Sequence, residues 1–567
     1  MKIQYLMNKI KIIIARLFLV NISNIALMGA LAFLLQYTLL LSQTDQKATS
    51  TTTNKDNSNN SPSTQPPLEL PTFIIEGVEH LNVKAGIKQF PAPPTELTSK
   101  ELDSLNPLEK QSALLVPPPN LPKMLSFNVF PEGFLKAQYG LFSTANILAG
   151  YGAKWEGYDI YAKGGYNSSQ GDVQNSDFNS MKVDLHSDYI APDFFWIFGG
   201  SRTRTKTEIN YSDYKLYGTD SAYNRKNYDI DFSLTSDGNY EGVNFSTGLG
   251  FYTLQLNQNS SKAFENRVQG FIDVNTLIDN YSVGLLADLN VGNLSGKDLS
   301  FYQFSGSGAV YYDKMTLEGE LGYQIATNTL NSNESTLALK TTLSYLPNMN
   351  YSVRVEFLTG LEKDFYKDFF RQNPYITITN GFMYPKASAI IRGIVQYLPD
   401  TKKGITLTAA LNFYEKYPYF NSDSLNNIDL LFETANIIKL KGEGFWEFTS
   451  NDKLIGSIGF NIGMLDYQNN VIPYLSPIQT SLNYLRKWSY DFSSEIGFLY
   501  NSARYTDRDN KNQINSYLNL FAKANYQALE KLQLFVELDN LTNNNNMLWQ
   551  GYRERGLFGS FGINWQF

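Results

Sequence analysis

Two histidines, His80 and His186, are the residues of this chain most suited to acid–base chemistry. His80 lies in an N-terminal linker region, whereas His186 lies in a β-prone segment beside Ser187. Adjacent residues of a strand point to opposite faces, so this serine and histidine cannot form a nucleophile–base pair by themselves. We therefore predict that the chain is not an enzyme. A hydrolase such as a protease or lipase, built around His186, is the alternative.

A second set of residues that could take part in binding is positively charged. Arg202, Arg204 and Lys206 recur at every second position, so on a strand they share one face. Guanidinium groups match the geometry of phosphate. If this face points outward near an extracellular strand end, it could contact lipopolysaccharide phosphates; if it points inward, it lines a pore. The third interpretation is that these side chains are simply solvated above a bilayer.

Residues 361–384 concentrate aromatic side chains among charged ones. Aromatic-rich exposed loops bind sugars or protein partners, so this segment is a candidate ligand loop. The same side chains could instead fold inward and occlude the interior. The residues concerned are Phe365, Tyr366, Phe369, Phe370 and Tyr375.

The sequence predicts neither a cofactor nor a bound metal. The chain has no cysteine, and its two histidines do not form a metal-ligand spacing. No glycine-rich phosphate loop is present. The formal net charge of -7 gives no indication of a nucleic-acid partner.

The candidate residues lie among segments of about ten residues in which apolar and polar side chains alternate. Strands of a membrane barrel show this pattern, so we expect such strands to position the candidates. Charges at every second place would be costly in a dry core, but they cost little if they face a water-filled lumen. The alternation therefore predicts an all-β fold. One example sets Leu532, Leu534, Val536 and Leu538 against Gln533, Phe535, Glu537 and Asp539.

The last segment, residues 557–567, shows the same alternation, and several of its apolar residues are aromatic. An apolar outward face and a polar inward face are typical of a lipid-facing barrel strand, although a soluble sandwich strand is the alternative. Lipid offers no hydrogen-bond partners, so a spanning sheet must close on itself. We therefore predict that a strand beginning near Gly133 pairs with this segment. Its predicted outward residues are Leu557, Phe561, Ile563, Trp565 and Phe567.

The connections alternate between short turns, such as Asp237-Gly238 and Asp313-Lys314, and long polar loops, such as residues 361–384 and 543–556. Short periplasmic turns opposite long external loops are typical of outer-membrane barrels. Over residues 133–567 the segments number about 22, an even count as such barrels require. We predict a closed antiparallel transmembrane β-barrel after a mostly unstructured N-terminal segment.

Three regions precede the predicted barrel. Residues 1–42 are basic and then apolar, which predicts a signal peptide; a retained inner-membrane anchor is the alternative. Residues 43–67 form a low-complexity linker. Residues 68–132 form a short periplasmic or lumen-threading segment. Beyond residue 41 no run is long and apolar enough for a membrane-spanning helix.

Both ends of the predicted barrel resemble TonB-dependent receptors. The opening strands are similar at residues 137–142 (AQYGLF) and 171–177 (GDVQNSD), and the closing hairpin at 536–543 (VELDNLTN) and 551–562 (GYRERGLFGSFG). The resemblance covers about residues 133–567 and implies a barrel of that family in the outer membrane. The family also carries a plug domain inside the barrel, and only residues 43–132 are available for one here.

From these observations we expect an outer-membrane barrel that acts as a solute passage or receptor. Its lumen should be narrowed by inward-folded loops or by residues 68–130, or be sealed by a partner. A structural or assembly partner barrel with no transport of its own is the alternative. Expected partners are outer-membrane lipid and lipopolysaccharide, the barrel-assembly machinery, and a periplasmic or plug-like protein.

Overall fold

The computed structural model describes residues 133–155, 157–259, 261–330, 332–378 and 381–567. The predicted signal peptide (1–42), linker (43–67) and segment 68–132, with His80, lie outside the described residues. Among the described residues, none belongs to a helix that is both long and apolar enough to cross a membrane.

One sheet of 22 strands, each antiparallel to its neighbours, accounts for most of the described chain. The strands are β1 (Gly133–Gly140), β2 (Thr144–Trp155), β3 (Tyr158–Ser169), β4 (Phe178–Ile190), β5 (Arg202–Leu216), β6 (Tyr223–Tyr240), β7 (Val243–Gln258), β8 (Ser261–Ile278), β9 (Tyr281–Leu294), β10 (Lys297–Tyr312), β11 (Met315–Thr327), β12 (Asn333–Asn348), β13 (Tyr351–Leu361), β14 (Lys386–Asp400), β15 (Lys403–Ser422), β16 (Ile428–Glu447), β17 (Asp452–Leu465), β18 (Ile478–Lys487), β19 (Phe492–Asn501), β20 (Tyr517–Leu529), β21 (Leu532–Asp539) and β22 (Phe558–Gln566).

The first and last strands close the sheet into a barrel. Strand β1 pairs with β22 as well as with β2, and Ala137 lies opposite Ile563 in the shared register. The backbone N–H of Gly133 donates to the carbonyl of Phe567 at 3.0 Å. Closure leaves the sheet without a free edge, which a bilayer requires. The predicted closed antiparallel barrel of about 22 strands is thereby confirmed.

The two faces of β22 differ as the alternation predicts. Phe561 is 63% exposed on the outside, whereas Phe558, on the other face, is 3% exposed. Large apolar side chains are exposed on strands all around the barrel, which indicates a lipid-facing surface. The outward set contains all five residues singled out above: Leu557, Phe561, Ile563, Trp565 and Phe567.

Gly133 and Phe567 lie at one end of the barrel, here called the terminal end. Short turns such as 241–242 and 279–280 join strands there, while long loops such as 466–477 and 502–516 lie at the opposite, distal end. This asymmetry assigns the terminal end to the periplasm. The predicted turn at Asp237-Gly238 is wrong, because both residues lie within β6. Gly238 instead permits close packing, since a Cβ there would lie 2.5 Å from Phe245.

Candidate functional site

The loop between β13 and β14, residues 362–385, is the candidate functional site and is called the lumenal loop below. It leaves the distal end of the barrel and contains a short helix, α1 (Tyr366–Gln372). Its aromatic side chains pack into a core with residues of the barrel wall, including Tyr252 and Phe301. The five aromatics predicted from the sequence, Phe365, Tyr366, Phe369, Phe370 and Tyr375, are all buried and form no exposed binding surface here.

Local chemistry explains why α1 forms at this place. The carboxylate of Asp368 accepts a hydrogen bond from the backbone N–H of Phe365 at 3.0 Å, which caps the first turn. The backbone N–H of Asn373 donates to the carbonyl of Phe369 at 2.9 Å and ends the helix. The sequence analysis did not predict this helix. The available signal was the spacing of four between Lys367 and Arg371, which places both side chains on one face of a helix.

Those three cations attach the lumenal loop to acidic residues of the barrel wall. Lys363 Nζ lies 2.6 Å from a carboxylate oxygen of Asp288 on β9. Lys367 Nζ lies 2.5 Å from Asp231 on β6 and 4.0 Å from the ring centroid of Tyr252. Both lysines therefore point from the loop toward the inward face of the wall.

Arg371 makes the third attachment and extends it to a neighbouring strand. Its Nε donates to Asp229 on β6 at 2.8 Å, and its Nη2 lies 3.4 Å from Glu208 on β5. Burial alone would lower the pKa of Arg371, but the negative charges of Asp229 and Glu208 raise it overall. The guanidinium therefore stays charged and holds the end of α1 against the wall.

A fully buried ion pair lies beneath the start of α1. Glu265 and Arg267, both on β8, are 0% and 1% exposed, and Arg267 Nε donates to Glu265 at 3.1 Å. The backbone N–H of Lys367 donates to the other oxygen of Glu265 at 2.9 Å. Arg267 Nη1 donates to the hydroxyl of Tyr384 at 2.5 Å, and its guanidinium lies 4.2 Å from the ring centroid of Phe365. Wall and loop thus share one polar network.

The far part of the lumenal loop reaches a different side of the barrel. The backbone N–H of Thr377 donates to the carbonyl of Ile428 at 2.7 Å, and its hydroxyl donates to Asp429, both on β16. Arg225 on β6 donates to the carbonyls of Pro374 and Ile376 at 2.8 and 2.7 Å. Because β6 and β16 lie on nearly opposite sides of a 22-stranded ring, the loop crosses the distal mouth.

A cavity of about 210 Å³ opens beside this crossing. The rings of Tyr375 and Tyr552 are stacked 3.7 Å apart at its edge, and Tyr552 belongs to the distal loop 540–557. Other residues that line the cavity include Arg225, Gln258 and Asn427. The cavity is thus bounded by a guanidinium group and by hydroxyl, amide and aromatic groups from the loop and the wall.

The cationic triplet on β5 lies on the inward face. Glu208 shares its parity with Lys206 and contacts Arg371 of the lumenal loop, so alternate residues of β5 point into the lumen. Lys206 Nζ lies 3.5 Å from Glu208. Arg202 and Arg204 also point inward.

The placement of Arg202, Arg204 and Lys206 corrects their predicted position and bears on their predicted contacts. They lie at the start of β5, which is at the terminal end, so the predicted extracellular position is wrong. An inward side chain cannot reach lipid headgroups, so their placement favours the lumenal alternative over lipopolysaccharide contact. Arg202 pairs with Asp188 and Arg204 with Asp237, both on the barrel wall. Lumen contact stays a prediction.

His186 also faces the lumen, opposite Lys206 in the register of β4 and β5. Its ring centroid lies 6.4 Å from that of Tyr161. Ser187 points to the other face of β4, so the structure does not bring this pair together. Among the described residues, no group of three or more acidic, histidine or cysteine side chains is arranged to hold a metal ion.

No protein-family model and no curated protein matches the sequence. Solved structures do match over 77% of this chain. The siderophore receptor PiuA from Acinetobacter baumannii has 9% identity and a TM-score of 0.59, with 82% of its chain covered. The copper transporter OprC has 10% identity and a TM-score of 0.59, with 80% covered. The FrpB iron transporter from Neisseria meningitidis has 8% identity and a TM-score of 0.61, with 81% covered.

These likenesses concern the fold. The barrel has the architecture of TonB-dependent receptors of the outer membrane, as the resemblance of its two ends implied.

Proposed function

We propose that this chain is an outer-membrane passage or receptor for a solute, and that the lumenal loop is the constriction at its distal mouth. One observation carries the proposal: the loop is attached to β6 by Arg371 and to β16 by Thr377. A segment fixed at two nearly opposite points of the ring narrows the opening between them.

The width of the barrel supports a need for such a constriction. Outer-membrane barrels of 22 strands enclose a lumen wide enough to require a plug. The inward faces of β4 and β5 carry charged side chains that are about half exposed, such as Lys182, Arg204 and Lys206, which suit a water-filled passage. The similar structures carry names of a siderophore receptor, a copper transporter and an iron transporter, which favours solute uptake as the activity.

Single-channel conductance of the full chain in a planar bilayer tests the constriction. Replacing residues 363–384 with a short Gly-Ser linker should raise the conductance several-fold, because the obstruction is removed and every strand is kept. The double variant Lys367→Ala/Arg371→Ala should open to higher conductance more often than the unaltered chain, because the lumenal loop loses two of its attachments to the barrel wall. The matched control is Lys154→Ala/Lys511→Ala, which removes two cations with side chains 75% and 74% exposed.

Two outcomes would contradict this proposal. A large, steady current from the unaltered chain would show that the loop does not narrow the lumen. Equal conductance with and without residues 363–384 would show the same. Absence of solute flux together with a stoichiometric co-purified protein would favour the structural or assembly barrel instead. The predicted periplasmic or plug-like partner and the barrel-assembly machinery stay predictions.

A further inference from the structure

The connection 191–201 between β4 and β5, called the aromatic turn below, differs from the short turns beside it at the terminal end. It carries three consecutive large aromatic residues, Phe194, Phe195 and Trp196, which are 85%, 55% and 52% exposed. A contiguous exposed apolar patch of this kind marks a surface that contacts something other than water.

Hydrogen bonds hold the aromatic turn in one shape. The backbone N–H of Ala191 donates to the carbonyl of Ser201 at 2.9 Å, and the N–H of Gly200 donates back to Ala191 at 3.0 Å. The tip is a 3-10 turn, Trp196–Phe198. At Gly199 a Cβ would lie 2.3 Å from the carbonyl oxygen of Asp193, so only glycine allows this close approach. The three aromatic residues are therefore presented on an ordered support.

The aromatic turn folds onto the outside of the barrel. The ring of Phe198 packs edge-on against Phe245, with centroids 5.5 Å apart, and Ile197 beside it is 1% exposed. Phe245 lies opposite Val274, and Val274 lies opposite Leu285, a residue 45% exposed on the lipid-facing side. Paired residues point to the same face of a sheet. The turn therefore covers part of the lipid-facing surface.

Tryptophan placement gives the level of this turn along the barrel. Of the six tryptophans, only Trp549 lies in a distal loop. The others lie at the terminal end, where tryptophan rings typically mark the boundary between lipid and water. They are Trp155 in β2, Trp196 in the aromatic turn, Trp446 in β16, Trp488 after β18 and Trp565 in β22.

We propose that the aromatic turn is a lipid-docking element, which inserts Phe194, Phe195 and Trp196 into the interfacial region of the periplasmic leaflet. The turn is continuous with the lipid-facing surface and lies at the level of the tryptophan belt, which favours lipid over a protein partner. Asp193 is its single charged residue, so little charge opposes insertion. The docking element would fix the depth of this side of the barrel.

The absence of cysteine makes a direct test possible. A nitroxide label on Phe194→Cys, in protein folded into phospholipid vesicles, reports collisions with apolar oxygen and with a water-soluble nickel chelate. Leu289→Cys, on the lipid-facing side of β9, is the lipid reference, and Lys206→Cys, on the lumenal face of β5, is the water reference. We expect the ratio of oxygen to nickel collisions at Phe194 to exceed that at Lys206 several-fold and to approach that at Leu289.

A ratio at Phe194 equal to that at Lys206 would overturn the proposal. Protection of Phe194 from both reagents would also overturn it, because protein would then cover the turn. Heat-modifiable gel mobility shows which labelled variants are folded. Phe195→Cys is the second position, should Phe194→Cys fail to fold.

Discussion

At the scale of single residues, the pair formed by Glu265 and Arg267 shows how the lumenal loop depends on buried charge. Neither side chain reaches water, so each needs the other and the hydrogen bonds from the loop. Removing one member of a buried ion pair leaves an uncompensated charge and costs about 3–5 kcal/mol, more than an exposed pair is worth. The strength of the loop attachment is therefore concentrated at a few positions.

The variant Arg267→Met should release the lumenal loop, because Glu265 would be left buried without its cationic partner. Trypsin should then cleave the folded protein faster after Lys363, Lys367 or Arg371. The double variant Glu265→Gln/Arg267→Met should recover part of the protection. Lys511→Met, which breaks an exposed pair with Asp509, is the control and should leave cleavage unchanged. Equal cleavage of Arg267→Met and the unaltered chain would contradict the expectation.

Asp364 should make loop closure depend on pH. Burial, and then the charges of Glu362 and Asp368, raise its pKa from 3.8 to about 6. Burial also raises the pKa of Glu362. Because the closed loop binds the proton more tightly than the released loop, closure gains stability as pH falls through about 6 toward 3.8.

Hydrogen exchange of the loop amides, corrected for the intrinsic rate, should therefore show more protection at pH 5 than at pH 7.5. Asp364→Asn should reduce this difference, since the group no longer titrates. Stronger protection at the higher pH would contradict the assigned direction of the pKa.

At the scale of elements, side-chain parity decides whether a residue meets lipid or water. Ile563 on β22 points outward, whereas Gln138 on β1 points inward and donates to Glu537 at 2.8 Å. These positions lie on adjacent, paired strands, so they share a local sheet environment and differ mainly in the face that they present.

Ile563→Lys should destabilise the barrel by about 1–2 kcal/mol, because a lysine there would face hydrocarbon between the bilayer midplane and the boundary that Trp565 marks. Gln138→Lys should change stability by about 0.5 kcal/mol or less, since the new charge faces the lumen beside Glu537. Urea unfolding in phospholipid vesicles measures both. Similar losses for the two variants would contradict the outward assignment of Ile563.

At the scale of the whole molecule, the ring is stable only when its first and last strands are paired. Deleting residues 557–567 removes the partner of both β1 and β21. Two unpaired edges in lipid would leave backbone groups without hydrogen bonds, so we expect no folded barrel and no heat-modifiable band. The variant that lacks residues 363–384 keeps all strands and should retain that band. A heat-modifiable band from the 557–567 deletion would contradict the closure argument.

The sequence was sufficient to predict the barrel because alternation is a local property. A period of two assigns each residue of a strand to one of two faces, as the exposed Phe561 and the buried Phe558 show. Closure between β1 and β22 followed from the absence of hydrogen-bond partners in lipid. Neither inference needs knowledge of distant contacts.

Tertiary structure alone decided how the lumenal loop is placed and which face of β5 is inward. The aromatics from Phe365 to Tyr375 are compatible with an exposed or an inward loop until their partners are known. Those partners are remote in sequence: Arg371 and Asp229 lie 142 positions apart. Periodicity says which side chains share a face, but only the positions of distant charges and rings determine where that face points.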